Sequence, residues 1–314
     1  DINTCIVILE KCADASLRDE NLVRFVYLKK RLSDFMPPVS DIWVRSKERI
    51  ERIGDLCKTV LFHSEFYENE DLRIFPKKQK ELWEEGFDPE QHKYVGAKWG
   101  KYLRAPEIFF KILQKGKDKF VSLKEIADVR RGFTTGANEF FYLTEEQIKK
   151  WGIEKEFWMH KDEKGNWIPN YVIKSPRECK SIVVRPEDLK YRVLMVHKDK
   201  KDLKGKGVLN YIHWGERKGF HKRPTCASRQ RWYDLGEREP GSILLAMVQA
   251  YRHIIFYNSH KVYPDHNTFE ILLDEENSLL ITSFLSSGIT MLTKEFIGRS
   301  YGGGSGPLKL EGID

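Results

Sequence analysis

The spacing of apolar positions changes several times along the 314 residues, and each change marks an expected element. Asn3 to Glu10 carries an unbroken apolar run, Cys5-Ile6-Val7-Ile8-Leu9, which predicts a buried strand in a sheet covered on both faces. Val23-Arg24-Phe25-Val26-Tyr27-Leu28 alternates and predicts a second strand. Pro37-Pro38 then breaks the pattern. A helix is expected from Ser40 or Asp41 to about Leu61, with Ile42, Ile50, Ile53, Leu56, Cys57 and Val60 apolar and Ser40 or Asp41 as cap. Residues 63–95 are acidic and rich in Lys, Pro and Gly, and they read as a connection.

A second unit is expected to start near Val95. Ala105 to Gln114 reads as a helix with Ile108, Phe109, Ile112 and Leu113 on one side. Ser122-Leu123-Lys124-Glu125 has the form of a capping box, opening a short helix that ends at Val129-Arg130-Arg131-Gly132. Phe140 to Leu143 is expected as a strand, and Thr144-Glu145-Glu146 as the cap of a helix ending near Trp151-Gly152. Ser242 to Gln249, Arg252 to Tyr257 and Thr268 to Leu273 predict successive strands, and Asn277 to Phe296 a helix packed on them. The last features are a glycine loop, Gly302 to Gly306, and a short strand, Leu308-Lys309-Leu310.

Charge adds a second layer to this pattern. The formal net charge is +7, but it is unevenly placed: −2 over residues 1–100, +12 over 101–250 and −3 over 251–314. The densest part, Lys198 to Arg231, has 11 basic and 3 acidic residues. A run such as Lys198-Asp199-Lys200-Lys201-Asp202 suits a solvated face. Arg217 to Tyr233 instead mixes arginines with aromatics and turn formers, a composition able to pair phosphates and stack on bases. No apolar segment has the length of a membrane span, and no signal peptide is visible, which argues against export. Because the chain opens on Asp1 and enters an apolar run at once, it is expected to be an excerpt of a longer polypeptide.

The cysteines Cys5, Cys12, Cys57, Cys179 and Cys226 are scattered and form neither a disulfide framework nor a zinc pattern. They read as reduced thiols, with Cys5 expected in a core strand. No histidine pair has helical metal-ligand spacing. Gly302 to Gly306 follows a helix and precedes a strand, without Gly-Lys-Ser/Thr, so helix termination fits it better than phosphate binding. No serine-histidine-aspartate signature or paired-carboxylate spacing is present. The most informative stretch is Arg130-Arg131-Gly132-Phe133-Thr134-Thr135-Gly136-Ala137-Asn138, where two glycines free the backbone to turn and hydroxyls, amides and arginines can face a phosphate or a base edge. A purely structural turn with solvated arginines fits the same residues. Arg229-Gln230-Arg231-Trp232-Tyr233 sets cations beside rings, with core packing and exposure both open for Trp232.

These motifs, taken in order, resemble the C-terminal part of adenine-N6 DNA methyltransferases of the restriction–modification type. Asp1 to Glu10 looks like a late catalytic-domain strand and Asn21 to Leu28 like the strand after it. Lys98-Trp99-Gly100-Lys101-Tyr102-Leu103-Arg104-Ala105-Pro106 is similar to the entry of the target-recognition region. Arg131-Gly132 through Asn138-Glu139-Phe140-Phe141-Tyr142-Leu143 resembles that region's opening turn, and Arg229 to Tyr233 and Gly298-Arg299-Ser300-Tyr301-Gly302-Gly303-Gly304 also fit. The resemblance implies an α/β fold: the last strands of a Rossmann-like methyltransferase sheet (1–35), a helical connector (36–95), and a mixed α+β target-recognition domain (96–314).

It further implies a cytoplasmic, prokaryotic protein that recognises double-stranded DNA for S-adenosylmethionine-dependent methylation. S-adenosylmethionine and the target adenine would be held by an upstream catalytic domain of the same polypeptide. The family's glycine loop and its Asn/Asp-Pro-Pro-Tyr/Phe motif are absent here, and Met36-Pro37-Pro38-Val39 lacks the amide and ring of the latter. No catalytic residue and no cofactor are therefore expected in this chain. The expected DNA contacts are Arg130, Arg131, Thr134, Thr135, Gly136, Asn138, Lys222, Arg223, Arg229, Arg231 and Trp232. A stand-alone nuclease and a scaffold of a restriction complex are the competing classes.

Overall fold

The alternating segment near residue 25 forms the strand Leu22–Leu28, and its partner comes from the stretch expected to be a connection. Leu72–Lys78 pairs with it antiparallel, Phe25 opposite Phe75 and Val26 opposite Ile74. Pro76 and two lysines disguise that strand in the sequence. Pro76 is tolerated because the third strand, Tyr67–Glu68, reaches only Arg73 and Ile74, which leaves the proline paired on one side alone.

The computed structural model describes residues 6–37, 46–162, 164–249, 253–300 and 308–309. The chain forms two units, one comprising residues 3–118 with 295–297 and the other residues 119–294 with flanking terminal segments.

In the first unit, Phe25, Phe75, Tyr102 and Phe110 stack over the antiparallel sheet with ring centroids 4.4–5.0 Å apart in successive pairs. Tyr102 comes from the short helix Gly100–Arg104 and Phe110 from Glu107–Gly116, the helix expected from Ala105. Helix Lys47–Phe62 is capped by Ser46, whose hydroxyl accepts from the Arg49 amide at 3.2 Å. The expected caps Ser40 and Asp41 lie outside the described residues, as do Cys5 and Ile42. Ile6 to Leu9 form no strand and are exposed, so the buried strand expected there is corrected: among the described residues of this unit none pairs with or covers them. The described sheet is antiparallel throughout, and the expected edge of a Rossmann-like sheet does not appear as such among the described residues.

The second unit is mixed α/β. One antiparallel sheet has the strand order Ile255–Tyr257, Ile243–Ala246, Thr268–Leu272, Asp128–Arg131. Another runs Tyr263–Pro264, Tyr171–Ile173, Tyr191–Val193, Tyr142–Leu143, with its first pair parallel. A bridge between Phe133 and Asp265 ties the start of the glycine turn to the link between the sheets. Helix Gly207–Arg217, unforeseen in the sequence, buries Val208, Tyr211, Ile212 and Gly215 at helical spacing. Its Tyr211 ring stacks on Phe140 at 4.8 Å in the main core.

Several element boundaries differ from expectation for identifiable reasons. The helix after Ser122 covers only Leu123–Ile126, and the Ser122 side chain does not cap it. Val129 to Arg131, expected at the helix end, form the edge strand instead, because Val129 packs with Ile243, Ile255 and Ile271 while Arg130 reaches Glu270. Phe140 and Phe141 belong to a helical turn, Asn138–Phe141, not to a strand. Both rings are fully buried in the main core. The long final helix is two helices, Glu275–Leu285 and Gly288–Ile297, separated at Ser286-Ser287; Ile281 and Leu285 of the first pack on the sheet. The strand 242–249 divides at Met247, whose amide donates to Asn267.

Other local expectations hold. Thr144 and Gln147 form a reciprocal cap, and Gly152 ends that helix in the left-handed region at φ 58°. Leu308–Lys309 is a strand pairing with Val248–Gln249, while Gly302 to Gly306 lie outside the described residues.

Candidate nucleic-acid interface

The stretch from Gly132 to Asn138 is held by contacts that explain its glycines. A Cβ on Gly132 would lie 2.4 Å from the Pro264 carbonyl oxygen and 2.5 Å from that of Asp265. Gly136 has φ +76°, and Thr225 crowds its would-be Cβ at 2.7 Å. Thr135 is buried; its hydroxyl accepts from the Ala137 amide at 3.1 Å and donates to Asn138 Oδ1.

Two of the expected contact arginines act on this turn as clamps. Arg229 donates to the carbonyls of Thr134 at 2.6 Å and Thr135 at 2.9 Å, and lies over the Phe141 ring. Arg223 donates to the Gly136 carbonyl at 3.2 Å and to Glu139 at 3.0 Å. Arg223's hydrogen bond holds the Glu139 carboxyl below its ordinary range. Burial pushes the Cys226 thiol up despite Arg229 beside it. Three successive carbonyls, those of Thr134, Thr135 and Gly136, are thus satisfied by guanidinium groups, which turns the other side of the loop outward.

The remaining expected residues are distributed differently. Arg130 donates to the fully buried Glu270 at 2.9 Å, and Glu270 also receives Arg238 at 2.6 Å and the Gly241 amide at 2.9 Å. Arg131 is exposed beside the turn, with Nε donating to the His266 carbonyl at 2.7 Å. Arg231 spends its guanidinium on Asp234 at 2.6 Å and Asp199 at 3.3 Å. Trp232 turns inward, its ring 4.6 Å from that of Phe140 and its Nε1 donating to Glu216 at 3.0 Å. Lys222 is exposed, and no partner is seen for it among the described residues. The structure therefore gathers Thr134, Thr135, Gly136, Asn138, Arg223 and Arg229 around one turn, with Arg131 adjoining it. Arg130, Arg231 and Trp232 are committed to internal contacts.

An open cleft of about 510 Å³ lies at the turn, lined by Thr134, Thr135, Gly136, Asn138, Glu139, Lys174 and His266. Lys174 follows the strand Tyr171–Ile173 and His266 follows Tyr263–Pro264, so the parallel pairing of these strands delivers both. No local sequence signal marks either residue. His266 Nδ1 is 2.9 Å from Asp265 Oδ2, and Asp265 in turn accepts from the Tyr142 hydroxyl at 2.5 Å. Burial first, then Asp265, drives the Tyr142 hydroxyl upward, so it stays a donor at neutral pH.

Part of the basic excess is spent internally as well. Lys198 and Lys206 both pair with Glu156, and Lys200 pairs with Glu216, while Lys201 and Lys204 face solvent. Among the described residues, no group of three His, Cys, Asp or Glu side chains is placed to share a metal ion. No helix among them is long and apolar enough to cross a membrane.

The second unit is thus a mixed α/β fold carrying a glycine turn clamped by two arginines. The chain belongs to the family of the type II methyltransferase M.Eco57I C-terminal domain, which matches residues 96–311. Among solved structures, the chain is similar to the type IIG restriction endonuclease BpuSI, at 14% identity and a TM-score of 0.44. That match covers 92% of this chain and 32% of BpuSI, so the chain spans about a third of the length of that protein. No curated protein matches the chain.

Proposed function

We propose that this chain recognises double-stranded DNA on behalf of an S-adenosylmethionine-dependent adenine-N6 methyltransferase of a restriction–modification system. Membership of a methyltransferase C-terminal-domain family is the observation that carries the reading. The exposed side of the clamped turn supports it, with Thr134, Asn138 and Lys174 available at one cleft and Arg131 exposed beside the turn. Exposed cations, Lys222 among them, supply the sequence-independent attraction to phosphates, and the polar side chains at the turn supply base reading.

Methyl transfer itself is assigned to an upstream catalytic domain of the same polypeptide, working in the cytoplasm. Met36 is buried and Pro37 follows it, and these 314 residues hold neither the glycine loop nor the tetrapeptide that would hold S-adenosylmethionine and a flipped adenine. No step of that chemistry is therefore placed on this chain.

The test is duplex binding followed by fluorescence anisotropy at 50 and 150 mM salt. With about four phosphate contacts, affinity is expected to fall roughly 50-fold over that range. An affinity independent of salt would refute the electrostatic part of the proposal, and no binding at all would refute the whole.

A further inference from the structure

We infer that the turn cleft is a donor-lined site that selects a ligand edge bearing only hydrogen-bond acceptors, with Asn138 as the side chain that sets its polarity. This deepens the proposed DNA recognition and rests on it.

Thr135 sets the orientation of the Asn138 amide. Its hydroxyl oxygen accepts from the Ala137 amide, and its hydrogen is donated to Asn138 Oδ1. Thr135 is buried and held from behind by Arg229 on its carbonyl, so this donor does not swing away. The bond fixes which end of the Asn138 amide faces the protein. Oδ1 is engaged, and the two Nδ2 hydrogens are left for the cleft.

Lys174, on the same wall, presents an ammonium that can only donate; it is exposed and lies 4.9 Å from the Tyr191 ring centroid. Thr134 contributes an exposed hydroxyl that takes either role. The one carboxylate of the wall, Glu139, is held by Arg223 through both of its oxygens. His266 pairs through Nδ1 with Asp265, and its other nitrogen is a donor when protonated and an acceptor when neutral. The polarity that is set by the fold is therefore that of Asn138 and Lys174, and both donate.

Two amide hydrogens beside an ammonium match paired acceptors best: in the major groove guanine O6/N7 is the base edge with two adjacent acceptors and no donor, thymine offering O4 alone beside its methyl, and outside the bases a phosphate offers the same. Adenine presents a donor beside its N7, and cytosine presents an amino group, so neither matches a wall whose amide oxygen is already used. An asparagine with both ends free would instead favour adenine, which gives the inference a direction that residue type alone does not.

The experiment is selection from a random duplex pool by the full chain, comparing the unaltered protein with Asn138→Ala and Asn138→Asp, followed by anisotropy on the enriched sites. Asn138→Asp retains an acceptor for the Thr135 hydroxyl and reverses the polarity offered to the cleft. If guanine supplies the edge, Asn138→Ala loses preference at one guanine position by about tenfold while the rest of the motif stands. Asn138→Asp then shifts that position toward cytosine or adenine, whose amino groups donate. If a phosphate supplies it, both variants weaken every duplex alike, Asn138→Asp the more, and the motif is unchanged.

The inference is overturned if the affected position is adenine, cytosine or thymine in the unaltered protein, or if both variants bind as it does. It is overturned equally if Asn138→Asp binds the original sites more tightly. Failure of the unaltered protein to bind any duplex sinks the recognition function itself, a result distinct from these. Thermal unfolding of both variants, expected to match the unaltered chain within a few degrees, separates a change of polarity from a change of fold.

Discussion

Arg229 and Lys222 are both basic residues of one short segment, and the structure gives them opposite tasks that one pair of variants separates. Arg229→Ala removes donors from the carbonyls of Thr134 and Thr135, at 2.6 and 2.9 Å, and a cation from the face of Phe141 at 5.4 Å. Hydrogen bonds involving a charged group contribute about 1.5–3 kcal/mol when well buried. Arg229 is half exposed, so about 1 kcal/mol each is appropriate, with roughly 0.5 kcal/mol more from the ring contact. The expected loss is about 2–3 kcal/mol, or a Tm lower by roughly 5–10 °C for a unit of this size.

Lys222→Ala removes no contact seen among the described residues, so stability should stay within about 0.5 kcal/mol. If Lys222 faces a phosphate, the slope of log affinity against log salt should become shallower by about 0.9. Arg229→Ala should weaken duplex binding without that change of slope, because it disorders the turn and removes no phosphate contact. Thermal unfolding combined with anisotropy between 50 and 200 mM salt reads both quantities. An Arg229→Ala variant with an unchanged Tm and a slope reduced by one would make Arg229 a DNA contact and refute the clamp.

Three further outcomes follow from buried or crowded groups. Glu270 is fully buried and receives both Arg130 and Arg238, so Glu270→Ala should cost about 3 kcal/mol in urea unfolding, and a loss under 1 kcal/mol would show that the pair carries little. Gly132→Ala places a methyl 2.4 Å from a backbone oxygen that has no rotamer to give way, and should destabilise by about 1–3 kcal/mol; unaltered stability would refute the crowding. At Asp234, burial opposes ionisation, but hydrogen bonds from Arg231, the Gly236 amide and His197 outweigh it and hold the carboxyl below its ordinary 3.8. A depressed folded value means this stabilisation is complete above that pH and is lost as pH falls through the folded value. Asp234→Asn should therefore be less stable near pH 7 yet show a flatter acid limb below about pH 4; parallel curves would count against it.

What could be read in advance follows the range of the interaction that decides each feature. The cap at Thr144 and the stop at Gly152 act over one helical turn, and both are legible in the sequence. The strand Leu72–Lys78 was hidden because its identity depends on Leu22–Leu28 lying beside it, roughly fifty residues away, and its proline is acceptable only where a short neighbour ends. Helix Gly207–Arg217 was masked by its glycines. Gly215 is required there because the Phe140 and Trp232 rings approach to 2.7 Å of where its Cβ would lie, a tertiary demand that lowers local helix propensity.

The cations show the same limit more sharply. Composition counts every arginine and lysine alike, whereas the fold divides them into those that satisfy protein acceptors and those left toward solvent. Arg130, Arg223, Arg229 and Arg231 fall in the first group and Lys174, Lys201, Lys204 and Lys222 in the second, while Arg131 is exposed yet also donates to the His266 carbonyl. The division has a physical source: a planar guanidinium bridges two acceptors at once, as Arg229 does across consecutive carbonyls, while an ammonium on a flexible stem gains less from such a site and remains hydrated. The +12 of the middle segment therefore overstates the charge offered to a partner. Arg223 and Arg229, distant in sequence, fix the shape of the turn, and a lysine and an asparagine on its outer side carry the polarity that a ligand would meet.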